Sequence, residues 1–358
     1  MTRASRYAEL AAAVRCFRGE LMQPPQFEQL LETGSLAETV SAVTGGHVTS
    51  AEESDLSSVE SYLIRRTIEL AERLAFYAPQ DSRPLIYLFA KRFEFGCVKA
   101  ILNAIAANVN AEEALRYIVP AGKFTSDRCK DLIEAHNPIR VIENVDDESF
   151  KRFLAPKLSG EGAGIHSTSA IDLYYFTRLW AASNLRDLVD TQSAKSLIGE
   201  AIDHTNILIA FRSRLMGLDA RTSSAIMIPV NYGLGRAFDE LAEANDVQDV
   251  LRILEKTRYA SMFAGSVTLD GERAEYALNC SHAKTCLDIF AGYPFNVGLA
   301  LAFLYLKNYE LRDLFGLINA KANNVPTERA LASLVLPNLS LPKGYNAIPV
   351  AVSGVRSE

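Results

Sequence analysis

Three acidic residues recur at nearly constant spacing, and each stands beside an apolar stretch. Glu94 and Asp203 are 109 residues apart, and Glu310 follows after a further 107. Carboxylates can act as general acids and bases when a fold brings them together. Isolated acids far apart in sequence are weak grounds for catalysis. The pattern therefore favours a structural role, either facing the unsatisfied N–H groups in the first turn of a helix or bridging to a neighbouring helix.

Soft metal ligands stand close together in the segment Cys280-x-His282-x3-Cys286. This spacing matches none of the usual zinc pairs, and no second half-site accompanies it. On a helix, residues 282 and 286 share a face while residue 280 points elsewhere. We interpret these cysteines as buried or half-buried thiols and expect no metal and no cofactor.

Two glycine-rich segments have some features of phosphate loops. Gly160-x-Gly162-x-Gly164 and Tyr232-Gly233-Leu234-Gly235 both lack a preceding strand and the Lys-Ser/Thr pair of a nucleotide loop. We predict a surface loop over 160–169 and a connection after Pro229. The aromatic run from Tyr174 to Trp180 indicates core packing. No GxSxG or HExxH motif is present, so nothing in the sequence supports an enzyme.

The spacing of the acids belongs to a longer repeat. Residues 131–137 return in similar form as residues 240–246, and each segment begins 11 residues after a proline, Pro120 or Pro229. A further proline, Pro337, lies close to the third expected position. A period of this length exceeds solenoid units of roughly 20–50 residues. It predicts three helical copies and a loosely ordered tail, over 1–118, 119–227, 228–337 and 338–358.

Length and composition agree with three small domains. The chain has 358 residues, of which 49% are hydrophobic and 22% charged, and its net charge is −6. An acidic average argues against a nucleic-acid partner. The longest apolar run, Val297–Leu306, is too short to span a bilayer, and the N-terminus lacks an apolar signal segment. Five scattered cysteines are typical of reduced thiols, so we expect a cytoplasmic protein.

Helical periodicity dominates the chain, and no convincing run of alternating strand residues appears. Apolar residues between Tyr7 and Met22 fall on one helical face. The sequence therefore predicts an all-α fold. Its main helices are expected over 7–22, 54–76, 94–108, 203–218, 273–290 and 297–322.

Several of these segments resemble the C subunit of V-type and archaeal-type ATPases/ATP synthases, whose eukaryotic counterpart is the V-ATPase d subunit. Tyr293-Pro294-Phe295 with the segment Tyr305–Leu314 is similar to the C-terminal signature of that family. Asp203-x-x-Asn206-Ile207, leading to Phe211-Arg212, resembles a helix of its middle copy. The helix with Arg15 and Arg18, followed by Leu30-Leu31, resembles its opening. The resemblance covers roughly residues 5–337.

The resemblance implies a funnel-shaped protein of three similar lobes around a pseudo-threefold axis with a central opening. In that family the protein belongs to the rotor. It sits on the membrane proteolipid ring and receives the tip of the central shaft, which the D and F subunits form. This implies no active site, no nucleic-acid partner, no small-molecule substrate, and a cytoplasmic position attached peripherally to the membrane through the ring. We further expect three separately cored copies joined at Pro120 and Pro229.

Cations near the repeated acids are candidates for contacts with a partner, and a solvated face is the simpler explanation for each. They are Lys91, Arg92, Arg212, Lys307 and Arg312. Two other classes of function stay open at this point. One is a generic helical scaffold that docks an unrelated partner. The other is a helical enzyme, which would require Glu94, Asp203 and Glu310 to meet in one apolar pocket.

Overall fold

The computed structural model describes residues 2–48, 56–158, 163–263 and 271–339, with the backbone alone over 163–167. Within these ranges the chain is helical and forms no strand, as the periodicity predicted. The α-helices are α1 Arg3–Phe17, α2 Pro24–Glu32, α3 Leu36–Thr44, α4 Leu56–Tyr77, α5 Arg83–Ala106, α6 Ala111–Ala114, α7 Ser126–Glu134, α8 Pro138–Glu143, α9 Glu148–Leu154, α10 Ala163–Ala182, α11 Leu188–Leu215, α12 Ala220–Ile226, α13 Ala237–Glu243, α14 Val247–Leu254, α15 Ala260–Phe263, α16 Gly271–Ala291, α17 Val297–Ala322 and α18 Thr327–Ser333.

The order of these helices repeats three times. Each run has three shorter helices, then a long pair, then one short helix: α1–α6, α7–α12 and α13–α18. The long pairs contain 22 and 24, 20 and 28, and 21 and 26 residues. The runs fall within the three predicted copies, whose boundaries remain predictions.

The six long helices contact one another in a closed sequence. Helix α4 packs on α5, α5 on α10, α10 on α11, α11 on α16, α16 on α17, and α17 returns to α4. The first ten residues of α17, Val297–Leu306, are all buried. The apolar run there is therefore an internal helix, surrounded by neighbours on every side. In the ranges that the structure describes, no helix combines the length and apolar character needed to cross a bilayer.

The core differs from the sequence expectation of three separate cores. The described residues form two hydrophobic clusters. The larger draws on all three repeats, and the smaller is built around the end of α11 with α13, α14 and α16. The expectation was wrong because α5 packs on α10 and α11 packs on α16, so that neighbouring repeats bury their apolar faces against each other.

Several predicted boundaries need correction. The helix expected to start near Glu94 starts at Arg83, and the one expected near Asp203 starts at Leu188. Helix α10 already begins at Ala163, so the loop predicted over 160–169 is wrong from that residue onward. Residues 159–162, which include the start of the predicted loop, lie outside the described ranges. So do residues 340–358, which make up most of the predicted tail. By contrast, α17 has the predicted bounds.

Close packing at Gly199 of α11 provides a test of this arrangement. A Cβ at Gly199 would lie 2.3–2.8 Å from atoms of the Tyr232 side chain. We expect Gly199→Ala to lower the free energy of unfolding by about 1–3 kcal/mol, because the helix and the connection must separate. Urea denaturation measures the change.

Gly96→Ala is the matched control, since Gly96 is exposed on α5 and a Cβ there meets nothing within 4 Å. It should raise the unfolding free energy by up to about 1 kcal/mol, through helix propensity alone. Equal effects at the two glycines would contradict the close approach at Gly199.

Candidate functional site

The second long helix of each repeat carries two buried side chains, one turn apart, and the second of the two contacts a connection farther along the chain. The pairs are Glu94 with Cys97, Asp203 with Asn206, and Glu310 with Asp313. The connections follow the short helices α6, α12 and α18 and contain Pro120, Pro229 and Pro337. We call each set of contacts between such a pair and its connection a connection clamp.

The middle connection clamp has the most hydrogen bonds. Asn206 accepts the N–H of Ile228 at 2.8 Å and donates to the carbonyl of Ile228 at 3.0 Å. Asp203 accepts from the N–H groups of Tyr232 and Gly233 at 3.2 and 2.6 Å, and from the Tyr259 hydroxyl at 2.6 Å. Burial raises the pKa of Asp203, and these donors oppose that shift. The segment 232–235 is thus a connection, as predicted.

The third connection clamp joins the last repeat to the first. Asp313 accepts the N–H groups of Val335 and Leu336 at 2.8 and 2.7 Å. Glu310 turns instead to the α1–α2 segment, where it accepts the Met22 N–H at 2.6 Å. Lys307 forms an ion pair with Glu310 one turn away. Because Met22 precedes Glu310 by 288 residues, this contact closes the circuit of repeats.

The first connection clamp is the least polar. The backbone of Ala121 hydrogen-bonds to the Cys97 thiol, and Glu94 forms an ion pair with Lys91. A Cβ at Gly122 would lie 3.8 Å from the Glu94 carboxyl carbon. Gly122 has a φ of 59°, a conformation that favours glycine. The same two helix positions therefore meet the connection in this repeat with weaker partners.

The repeated acids occupy the middles of α5, α11 and α17, so the proposed role in a first helical turn is wrong. The alternative prediction, a bridge to a neighbouring helix, is closer to the structure, but Asp203 and Glu310 bridge to connecting segments instead. The three acids have separate partners and do not share a pocket. In Asp203 both oxygens already accept hydrogen bonds, which leaves little capacity for proton transfer. The helical enzyme with converging acids is therefore not supported.

The histidines near the middle clamp are neutral core residues. His282 Nδ1 lies 2.8 Å from the Tyr309 hydroxyl and Nε2 lies 3.0 Å from the Leu197 carbonyl. Burial lowers the pKa of His282 to about 4. His204 Nε2 stands 3.7 Å from a Glu200 oxygen, but burial lowers the pKa of His204 and keeps it uncharged, so we do not regard the pair as ionic. Both ring nitrogens of His282 are thus taken up within the core.

Helix α1 ties together the turns that join the three long pairs. Tyr7 is fully buried, and its hydroxyl donates to Asp190 at 2.7 Å and lies 3.0 Å from the Ser82 hydroxyl. Arg6 forms an ion pair with Asp81 of the first turn, and Arg3 with Asp187 of the second. The third turn joins through Asp190, which accepts the Val297 N–H at 3.2 Å. All three turns therefore meet at one end of the molecule.

Large apolar and aromatic side chains are exposed at or beside these turns. We call the set the three-turn face, and it comprises Phe76, Tyr77, Tyr87, Leu188, Val189 and Tyr293. Phe76 and Leu188 are 69% and 70% exposed. Beside this face Arg3 pairs with Asp187 and Arg6 with Asp81, while Arg83 and Arg186 are exposed at the same turns. Exposed apolar clusters of this kind mark interaction surfaces.

Sequence reasoning missed the three-turn face. Arg6 lies 75 residues from Asp81, and Arg3 lies 184 residues from Asp187. A single sequence gives no signal for such pairs. The one local hint is the apolar pair Leu188-Val189 directly after the capping residue Asp187, and the structure shows both side chains exposed.

The five cations that were predicted to contact a partner protein already make contacts within the chain. The Lys307 side chain is only 14% exposed and also donates to the Glu20 carbonyl at 3.0 Å. Arg92 lies over the Phe89 ring, and Lys91 pairs with Glu94. Arg212 and Arg312 both form ion pairs with Glu275, at 2.8 and 2.5 Å. Arg212 and Arg312 remain the most exposed of the five.

In the described residues the protein is all-helical, and its buried polar side chains are engaged in holding the connections to the long helices. Comparison with known proteins identifies the family. Residues 10–332 match the family model described as ATP synthase (C/AC39) subunit. The chain belongs to this family, and its role there is structural rather than catalytic.

Individual relatives are similar in sequence to this chain over most of its length. The C subunit of the A-type ATP synthase of Methanosphaera stadtmanae is 28% identical over 316 residues, which cover 85% of this chain and 80% of the relative. The corresponding C subunit of Methanocaldococcus jannaschii is 24% identical over 349 residues, covering 92% of this chain and 86% of the relative.

Buried Asp313 predicts a pH dependence of stability. Burial raises the pKa of Asp313 to about 6, above its ordinary value of 3.8. The folded state therefore holds this proton more tightly, so the stabilisation is complete below about pH 4 and is lost as the pH rises through 6. Relative to Asp313→Asn, the wild-type advantage in unfolding free energy should fall by up to about 3 kcal/mol between about pH 4 and pH 7.

Urea titrations of both proteins across this range measure the difference. Asp219→Asn is a control of opposite sign, because Asp219 caps α12 and its backbone hydrogen bond from Thr222 lowers its pKa. There the wild-type advantage should be nearly constant between about pH 4 and pH 7 and should be lost only as the pH falls below this range. Parallel curves for wild type and Asp313→Asn would show that Asp313 titrates normally.

Proposed function

We propose that this chain is the non-catalytic rotor component that couples the central shaft, formed by the D and F subunits, to the membrane proteolipid ring. It would act as a cytoplasmic socket, attached peripherally to the membrane through the ring. The family match over residues 10–332 carries the proposal. Transmission of torque needs a body that does not shear, and helices packed to interior density provide it.

The closed sequence of long-helix contacts supports three lobes around a pseudo-threefold axis. The same element order occurs three times, and Glu310 links the last repeat back to Met22 before the second helix. The first half of α17 is buried on every side. A central opening that receives the shaft would therefore have to lie away from that segment.

We infer that the three-turn face meets the proteolipid ring. Six large apolar or aromatic side chains are exposed there, and two of the neighbouring arginines are neutralised in the pairs Arg3–Asp187 and Arg6–Asp81, which favours a partner with an apolar surface. Tyrosines with an apolar body and a polar tip suit a surface near the membrane interface. The three turns are joined by Tyr7 and Asp190, so load applied at the face would reach all three long pairs together.

A generic scaffold for an unrelated partner shares the composition and the helical fold. It does not account for the match to a family of ATP synthase subunits along nearly the whole chain. We therefore keep the rotor component as the one proposed function.

A pull-down of the full chain with the purified complex of D and F tests the shaft contact. We expect retention at low salt and reduced retention at high salt, because an acidic protein with mixed-sign helix faces makes screened polar contacts. The catalytic subunits alone serve as the comparison. Absence of retention at low salt would count against the proposal.

Two double variants at opposite ends of α11 test the ring contact. Leu188→Ser with Val189→Ser should weaken binding to the detergent-solubilised proteolipid ring by roughly tenfold or more, because buried apolar anchors are removed from the interface. Sedimentation with the ring gives the affinity.

Leu215→Ser with Met216→Ser is the matched control, since these residues are 63% and 60% exposed at the other end of the same helix. Ring binding by this variant should stay at the wild-type level. If both double variants bind the ring equally well, the three-turn face is not the site of contact.

A further inference from the structure

Two buried thiols lie side by side in the first connection clamp. The Sγ atoms of Cys97 on α5 and Cys129 on α7 are 3.6 Å apart, and the two residues are 3% and 0% exposed. Cys97 belongs to the clamp position shared with Asn206 and Asp313, and its sulfur also contacts the Ala121 backbone. The pair therefore stands where the connection between the first two repeats meets the long helix.

The pair is a feature of the first repeat. The positions one period after Cys97 and Cys129 hold Asn206 and Phe238. Asn206 satisfies the backbone of its connection with two hydrogen bonds, at 3.0 and 2.8 Å. In the first repeat a thiol replaces the amide, which leaves a weaker clamp but introduces a redox-active group.

We propose that Cys97 and Cys129 form a redox modification site, in which hydrogen peroxide converts the dithiol into a disulfide that fastens α7 to α5. Both thiols are buried, so peroxide, which is nearly as small as water, would reach them during local opening of the α5–α7 contact. The two sulfurs, 3.6 Å apart, would have to approach to about 2.05 Å for the bond to form.

The roles of the two sulfurs follow from their hydrogen bond. The hydrogen bond between the two sulfurs lowers the pKa of Cys129 and raises the pKa of Cys97. Cys129 is therefore the thiolate that attacks.

The reaction balances in two steps. The Cys129 thiolate attacks one peroxide oxygen, so that an S–O bond forms, the O–O bond breaks, and hydroxide leaves to become water. Cys97 then attacks the Cys129 sulfur, an S–S bond forms, and the sulfenic oxygen leaves as a second water with the Cys97 proton. Each sulfur loses one electron, and the peroxide is reduced to two waters.

The consequence is a covalent clamp at one connection. The disulfide would join two positions that are 32 residues apart in the chain, between α5 and α7. Constraining the unfolded chain in this way raises the melting temperature, and the bond slows unfolding where α5 and α7 would otherwise separate in the transition state. The first two repeats would then be held together under conditions in which the other two clamps are unchanged.

The experiment uses the folded full chain with Cys16→Ser, since Cys16 is exposed and would react independently. After peroxide treatment, digestion and mass spectrometry should find a cross-link between the peptides of Cys97 and Cys129 that dithiothreitol reverses. The unfolding rate should fall by roughly tenfold or more. The same chain in urea should form this cross-link more slowly, because the thiols are no longer adjacent.

Cys97→Ser and Cys129→Ser separate the effect of the bond from other oxidation. Each variant should lose both the cross-link and the slower unfolding under peroxide. Should either variant fail to fold, the cross-link in the Cys16→Ser chain still decides the question. The proposal is overturned if Cys97 and Cys129 can both still be alkylated after treatment with enough peroxide to oxidise Cys16 in the unsubstituted chain. It is also overturned if the cross-link forms no faster in the folded chain than in urea.

Discussion

The structure depends on hydrogen-bond partners for the backbone N–H and C=O groups of its buried, proline-containing connections. A connection packed against a long helix leaves N–H and C=O groups that water cannot reach, and each unsatisfied group costs about 1–3 kcal/mol. Asn206 and Asp313 supply the missing partners from inside their own helices. Because a hydrogen bond tolerates little displacement, each clamp also fixes where its connection lies along the helix. The repeats therefore join at defined positions rather than through flexible linkers.

Repetition of a unit does not make the unit independent. Helix α5 of the first repeat packs on α10 of the second, and α11 of the second packs on α16 of the third. Each repeat thus completes a neighbour's core, which is why two shared clusters replace three separate ones. Glu310 extends the same logic, since it binds Met22 of the first repeat instead of its own connection. Removing one repeat would expose apolar faces of the others.

Much of the fold could be read from the sequence, and the failures share one cause. Local periodicity predicted the bounds of α17, and the position after Pro229 predicted the connection at 232–235, because both depend on neighbours in the chain. Glu94 and Asp203 were placed at helix starts because an apolar run begins beside each one. In the structure α5 already begins at Arg83 and α11 at Leu188, so each acid lies inside a helix that started earlier. Contacts such as Arg6–Asp81 and the dithiol Cys97–Cys129 join distant positions, and one sequence carries no record of that pairing.

The turns and the clamps hold each second long helix at two places along its length. The N-terminal ends of α5, α11 and α17 lead from the turns that α1 binds, and the clamps hold positions farther along each helix. A helix of 28 residues such as α11 spans about 42 Å. Fixed at the turns and again by its clamp, such a helix can neither slide nor rotate about its axis without breaking buried hydrogen bonds. Force applied at the three-turn face would therefore reach the connections as a displacement of the whole body, which is what the proposed rotor component would need.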